Sequence, residues 1–320
     1  AFQGKEKKPP YFEGWYFKLV DRDEQNFFAV IPGVQISTNP EKSHAFVQIF
    51  EGSTGIVEYK TYPLSAFRSA DNAFDIWIGP NHFTSEAISL NINSPKLTIN
   101  GNLKFSSLKP WPITLKSPGI MGWYAWIPFM ECFHGIVSLD HKIQGVLTVN
   151  SKVIDFIGGR GYTEKDWGKS FPEAWIWFQT NHFSKPGTSL TASMAIIPWI
   201  RKPFPGFIIG LWHDNHLYRF ASYTGAKVDH LDISDTHIAW TVRDKHAVLE
   251  MQAVREKGGL LHAPSVEGME RRIIETLDSK VSVTLTAEEK TGSRLIFKDS
   301  GRNVGLEVAG NLSRLIQMLK

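Results

Sequence analysis

Apolar and polar residues alternate along this chain in short runs closed by turn-forming residues, and a period of two predicts many antiparallel strands. The second half shows it most clearly. Leu190 to Trp199 and Phe207 to Trp212 read as strands, His213, Asp214 and Asn215 as a turn, and Leu217 to Tyr223 as the return. A hairpin follows from His237 to Val242, turning at Arg243 to Lys245 and returning through Ala247 to Val254. Val281 to Ala287 and Arg294 to Phe297 bracket a turn at Glu288 to Ser293, and Val304 to Val308 adds a strand. In the first half, strands are expected at Trp15 to Asp21, Phe27 to Val34, His44 to Glu51, Val57 to Tyr62, Asp75 to Ile78, Ala87 to Asn93 and Lys96 to Phe105.

Short strands on short turns form a meander, and a meander must close on itself or cover its edges. Lipocalin-like barrels do so while leaving an internal cavity; a sandwich is the alternative. The stretch Leu108 to Gly122 carries Pro110, Pro112, Pro118, Gly119 and Gly122 and cannot continue a central strand. It divides the 320 residues into an N-terminal barrel-like domain at 1–115 and a C-terminal lipocalin-like barrel at 116–320. One short helix is expected at the C-terminus, where Asn311 can cap and Leu312, Leu315, Ile316 and Leu319 share a face.

Composition sharpens this picture at a few points. Eleven Trp, 21 Phe and 8 Tyr exceed what a core of this size needs, and such an excess suits an apolar ligand cavity as well as a Trp-rich core. The net charge is +3, with Lys and Arg scattered in ones and twos, which argues against nucleic-acid binding. A single cysteine, Cys132, excludes an intramolecular disulfide framework and suits a reducing, cytoplasmic setting. The most apolar run, Met121 to Phe133, contains Glu131 and is too short to span a bilayer. Membrane contact is therefore expected to be peripheral at most.

Three stretches carry the candidate chemistry: YFEGWYFK at Tyr11 to Lys18, GWYAWIPFMECFHG at Gly122 to Gly135, and GYTEKDWGKSFPEAWIWFQTNHF at Gly161 to Phe183. In the third, Gly158, Gly159 and Gly161 break a preceding strand, Tyr162 to Pro172 reads as a loop, and Glu173 to Phe183 resumes as a strand. Alternation then puts Trp175, Trp177, Gln179 and Asn181 on one face. Two indoles in line with two primary amides suit a pocket wall, or a face whose amides bond to backbone. Glu164, Lys165 and Asp166 precede Trp167; a carboxyl desolvated by that ring would have a raised pKa and serve as a general acid, which Lys165 would oppose. Glu131, Cys132 and His134 do not converge along a strand, so no metal and no cofactor are expected there. His134 remains a further acid candidate. There is no GxSxG, P-loop or HExxH motif.

The three stretches resemble the tocopherol cyclase family, which carries close relatives of FEGWYFK and of YxEKxWGxxFPxxWxWxQxNxF; the likeness extends to Leu249–Arg272. The resemblance implies two lipocalin-like barrels and a reaction that closes a chroman ring on a prenylated hydroquinone. An acid protonates the alkene and the phenolic oxygen captures the resulting cation. On that basis Asp166 or Glu164 is the expected acid, with Glu131 and His134 behind them. Trp15, Tyr16, Trp123, Trp126, Trp167, Trp175 and Trp177, with Gln179 and Asn181, are the expected walls of the ligand site. A non-catalytic carrier of a lipophilic molecule is the competing expectation, and a carbohydrate-binding module a weaker one.

Overall fold

The computed structural model describes every residue except Lys116, Thr291 and Lys320. Thr291, inside the turn expected at 288–293, therefore lies outside the described residues. The chain is mainly β and forms two antiparallel sheets, with the expected short C-terminal helix. In that helix, α1 (Leu312–Gln317), the Asn311 side chain accepts the Arg314 amide.

The first sheet holds β1 (Tyr11–Val20), β2 (Phe27–Ile36), β3 (His44–Glu51), β4 (Ile56–Tyr62), β5 (Phe67–Ser69) and β6 (Asp75–Ile78). It continues with β7 (Asn81–Thr84), β8 (Ala87–Asn93), β9 (Thr98–Ser106), β10 (Cys132–Val149), β11 (Lys152–Asp155) and β12 (Arg160–Gly168). Their order is β4-β3-β2-β1-β12-β10-β9-β8-β7-β6-β5, with β11 on β10. The second sheet contains β13 (Ala174–Thr180), β14 (Ser189–Ile197), β15 (Phe204–His213), β16 (His216–Ala221), β17 (Lys227–Ile233), β18 (His237–Arg243) and β19 (Ala247–Val254). After β20 (Gly259–Ala263) come β21 (Arg271–Glu289) and β22 (Gly292–Gly310). The order is β16-β15-β14-β13-β22-β21-β19-β18-β17.

Each sheet has its own apolar core. In the first, Trp15, Phe17 and Leu19 of β1 meet Phe28, Phe83, Phe105 and Phe156. In the second, Ile176 and Phe178 of β13 meet Phe207 and Trp240. Close strand approach depends on glycine in places: Gly145, at φ +121°, sits where a Cβ would lie 2.2 Å from the Asn102 carbonyl oxygen. Among the described residues no helix is long and apolar enough to cross a membrane.

Two expectations need correction. The chain does not divide once at 108–122. One compact unit comprises Ala1–Met121, Pro128–Phe171 and Gly259–Ile273; the other takes Gly122–Ile127, Pro172–Gly258 and the chain from Ile274 onward. The reason is non-local pairing: β12 lies between β1 and β10, which holds 132–168 in the first sheet despite the Pro-rich stretch before it. The segment 259–273 also belongs to the first unit, where His262 N–H donates to Gln48 Oε1 at 2.8 Å and Gln48 Nε2 donates back to the His262 carbonyl. Second, the C-terminal strands are longer than the apolar runs suggest. β21 and β22 are 19 residues each, kept continuous through register shifts near Thr276, Ser279 and Leu285.

Phe17 is fully buried and its ring meets Phe74, Phe83 and Phe105. Phe17→Ala should cost the first unit about 3–5 kcal/mol in urea denaturation. Val153→Ala, at a 66% exposed position, should stay within about 0.5 kcal/mol.

Candidate functional site

The charged run Glu164, Lys165 and Asp166 lies on β12, a central strand, and not in a loop as its glycines and charges suggest. Hydrogen bonding to β1 on one side and β10 on the other satisfies its backbone, and strand alternation then sends its charges to opposite faces. Burying charge in this way is tolerable only with partners. Each face supplies them differently.

On the face shared with Trp15, Lys165 Nζ pairs with Glu13 Oε1 at 2.7 Å and donates to the Ala1 carbonyl at 2.8 Å. The ammonium also lies 4.6 Å from the Trp167 ring centroid and 5.3 Å from that of Trp15. Tyr11 donates its hydroxyl to Glu13 Oε2. Burial pulls the Lys165 pKa down against the pull of Glu13, and burial together with Glu13 drives the Tyr11 phenol far up. Trp15 itself stacks on Phe74 at 5.1 Å, and Trp167 stacks on Phe133 at 5.5 Å.

The opposite face gathers Tyr16, Tyr162, Glu164, Asp166 and His134. His134 Nδ1 is 2.9 Å from Asp166 Oδ1, and its Nε2 is 3.9 Å from Glu164 Oε2. The Tyr162 hydroxyl donates to that same Glu164 oxygen. Burial acts to discharge His134, but Asp166 and Glu164 outweigh it, and the imidazole pKa is pushed up to about 9. At neutral pH the cluster therefore holds one imidazolium against two carboxyl groups. Cys132 begins the same strand; burial, then Asp166, Glu131 and Glu164, keep it a thiol.

The expected catalytic residues thus separate. Asp166, Glu164 and His134 come together, while Glu131 stands apart and accepts from Ser170 Oγ at 2.6 Å. Trp167 lies on the other face of its strand, so it does not desolvate Asp166 or Glu164, and the argument for a protonated carboxyl beside that ring fails. Among the described residues, the set that could hold a divalent cation is His134, Glu164 and Asp166, whose ligand atoms lie within 4.8 Å of one another. His134 Nδ1 already bonds Asp166 Oδ1, and Glu164 Oε2 accepts the Tyr162 hydroxyl. Proton sharing accounts for the arrangement as it stands.

The remaining expected ligand residues lie in the second unit. Trp175, Trp177 and Gln179 are buried on the face of β13 opposite Ile176 and Phe178, Asn181 is buried just past the end of that strand, and Trp175 Nε1 donates to Glu307 Oε2 at 2.7 Å. Trp123 and Trp126, expected in the wall, sit on a short 3-10 helix and are 43% and 66% exposed. Tyr162 was missed: its spacing to Glu164 and Asp166 is the period of a strand, and reading that stretch as a loop hid it.

The Tocopherol cyclase-like family model matches residues 98–310, two thirds of the chain. The chain belongs to the tocopherol cyclase-like family. The chloroplastic tocopherol cyclase of Zea mays is 25% identical over 209 residues, which cover 59% of this chain and 41% of that protein. The chain thus matches less than half the length of this relative. Among solved structures, CghA aligns with TM-score 0.57 at 12% identity, over 95% of this chain and 89% of CghA. A protein of Nitrosomonas europaea described as a candidate AttH aligns with TM-score 0.54 at 13% identity, over 97% and 98%. These likenesses establish the lipocalin-like β fold of this family member.

The His134 charge gives stability a defined pH dependence. Its folded pKa of about 9 lies above the ordinary 6.5, so its stabilisation is fully present below 6.5 and is lost as pH rises through 9. Melting temperatures measured from about pH 6 to about pH 10 should fall more steeply for the wild type than for His134→Gln. Parallel curves would mean that His134 is neutral in the fold.

Proposed function

We propose that this chain is an acid–base enzyme that closes a ring on a hydrophobic prenylated aromatic of the hydroquinone type. The observation that carries the reading is the 2.9 Å bond between His134 and Asp166, which joins a charged donor to an acceptor on one face. Ring closure of this kind is an isomerisation. One proton goes to the alkene carbon, the phenolic oxygen forms the new C–O bond at the tertiary carbon, and that oxygen loses its proton. The catalyst must give one proton and take one back.

In this reading His134 gives the proton and Asp166 receives the phenolic one, which returns to His134 along their shared bond. An imidazolium is a weak acid toward an alkene. The two transfers are therefore coupled, so that the oxygen becomes more nucleophilic as positive charge develops on carbon. Glu164, held by Tyr162, keeps the imidazole charged between turnovers. Tyr16, on the same face, supplies an aromatic surface for the developing cation. Family membership supports the reaction class, and CghA, which shares the fold, has been solved with Sch210972.

The test is conversion of a prenylated hydroquinone to its chroman by wild type, His134→Gln and Asp166→Asn, with tryptophan fluorescence quenching to follow binding. Each substitution should lower kcat by roughly a hundredfold to ten-thousandfold and leave binding within a few-fold. Glu131→Gln should stay close to wild type. Quenching without product across several quinols would instead identify a carrier.

A further inference from the structure

The His134–Asp166 face continues across two further strands. Asp166 is paired with Gly14 of β1, Gly14 with Gly33 of β2, and Gly33 with Phe46 of β3. Two adjacent glycines thus stand in one row beside the carboxylate. They differ in what requires them. A Cβ at Gly33 would lie 2.4 Å from the Phe46 ring, so close packing demands glycine there. At Gly14 a Cβ would meet nothing nearer than the Pro32 carbonyl at 3.7 Å, and its φ is not positive. Neither a clash nor a positive φ requires glycine at 14: a Cβ there would make only ordinary contact with the Pro32 carbonyl and, at 4.0 Å, with Ile31 Cγ2, and without one the strand carries no side chain next to Asp166.

Two residues along β2 from Gly33, on the same face, stands Gln35. Its side chain is fully buried, and among the described residues neither its Nε2 nor its Oε1 has a hydrogen-bond partner. A buried amide left unpaired is destabilising, because it has given up its water without gaining a partner. An amide is also both donor and acceptor, which matches a hydroxyl or a carbonyl. Gln35 and Asp166 are two strand spacings and one two-residue step apart, about 12 Å between Cα atoms. A carboxamide, an aromatic ring with para oxygens and a carboxylate fill such a span.

We propose that the Gln35 carboxamide, on the same sheet face as Gly14 and Asp166, is the subsite for the non-reacting oxygen of the aromatic head group. This rests on the reading of the site as one for a hydroquinone-type ligand. The reacting oxygen is then directed to Asp166, and the prenyl chain is placed by the ring's orientation. Gln35 is a positioning residue; it takes no part in proton transfer.

Fluorescence titration with two probes tests it: a prenylated hydroquinone, and the matching prenylphenol that lacks the para hydroxyl. Wild type should bind the hydroquinone about tenfold more tightly. Gln35→Leu should bind both with equal affinity and melt no lower than wild type, since it removes an unpaired amide; a structural amide would lower the melting temperature. Gly14→Val should weaken both ligands at least about tenfold while the melting temperature holds. If Gln35→Leu discriminates between the probes as wild type does, the subsite is overturned and the ring-closing reading stands. If wild type binds neither probe, both fall together.

Discussion

The site depends on the pairing of Arg160–Gly168 between Tyr11–Val20 and Cys132–Val149. That register alone brings Gly14, Asp166 and His134, distant in sequence, into one row across three strands. A slip of one residue would turn every side chain of the central strand to the other face. Asp166 and Glu164 would then join Glu13 and Trp15, and Lys165 would face His134. Buried side chains along the whole of β1 resist such a slip, because both of its faces are covered.

The same strand handles buried charge in two ways. Lys165 is neutralised by one carboxylate and enclosed between two indoles, which fixes it. His134 has an excess of negative partners, which keeps it charged but leaves the proton several places to go. Ionising groups in a protein interior costs several kcal/mol each, and packed apolar residues of similar volume would often be as stable or more so. An imidazolium and two carboxyl groups held together on one largely enclosed face are an arrangement that the proposed acid–base chemistry would use.

Much of the fold was legible because local alternation reports burial directly. The hairpins of the second half and the C-terminal helix cap stand where the pattern put them. Arg160–Gly168 was not legible in that way: its three charges and its bounding glycines are ordinary loop signals, and only pairing with distant strands makes it a strand. The misplaced boundary has the same origin, since Pro110, Pro112 and Pro118 do interrupt the chain locally, yet β10 returns to the first sheet. The FEGWYFK and EKDWG motifs lie on β1 and β12, the paired strands that carry Tyr16, Glu164 and Asp166. Motif proximity suggested that Trp167 and Asp166 act together, whereas adjacency along a strand separates side chains by a full sheet thickness. Gln35 carries no motif; that its buried amide has no hydrogen-bond partner among the described residues is visible only in three dimensions.

The central claim is that His134 holds a proton at neutral pH and shares it with Asp166. The most direct test is an NMR titration of the His134 imidazole in protein labelled at histidine, with His134→Gln to assign the resonance. The account predicts a single transition near pH 9 that moves to lower pH in Asp166→Asn. A His134 resonance titrating at or below the ordinary 6.5, and unmoved by loss of the Asp166 charge, would contradict it.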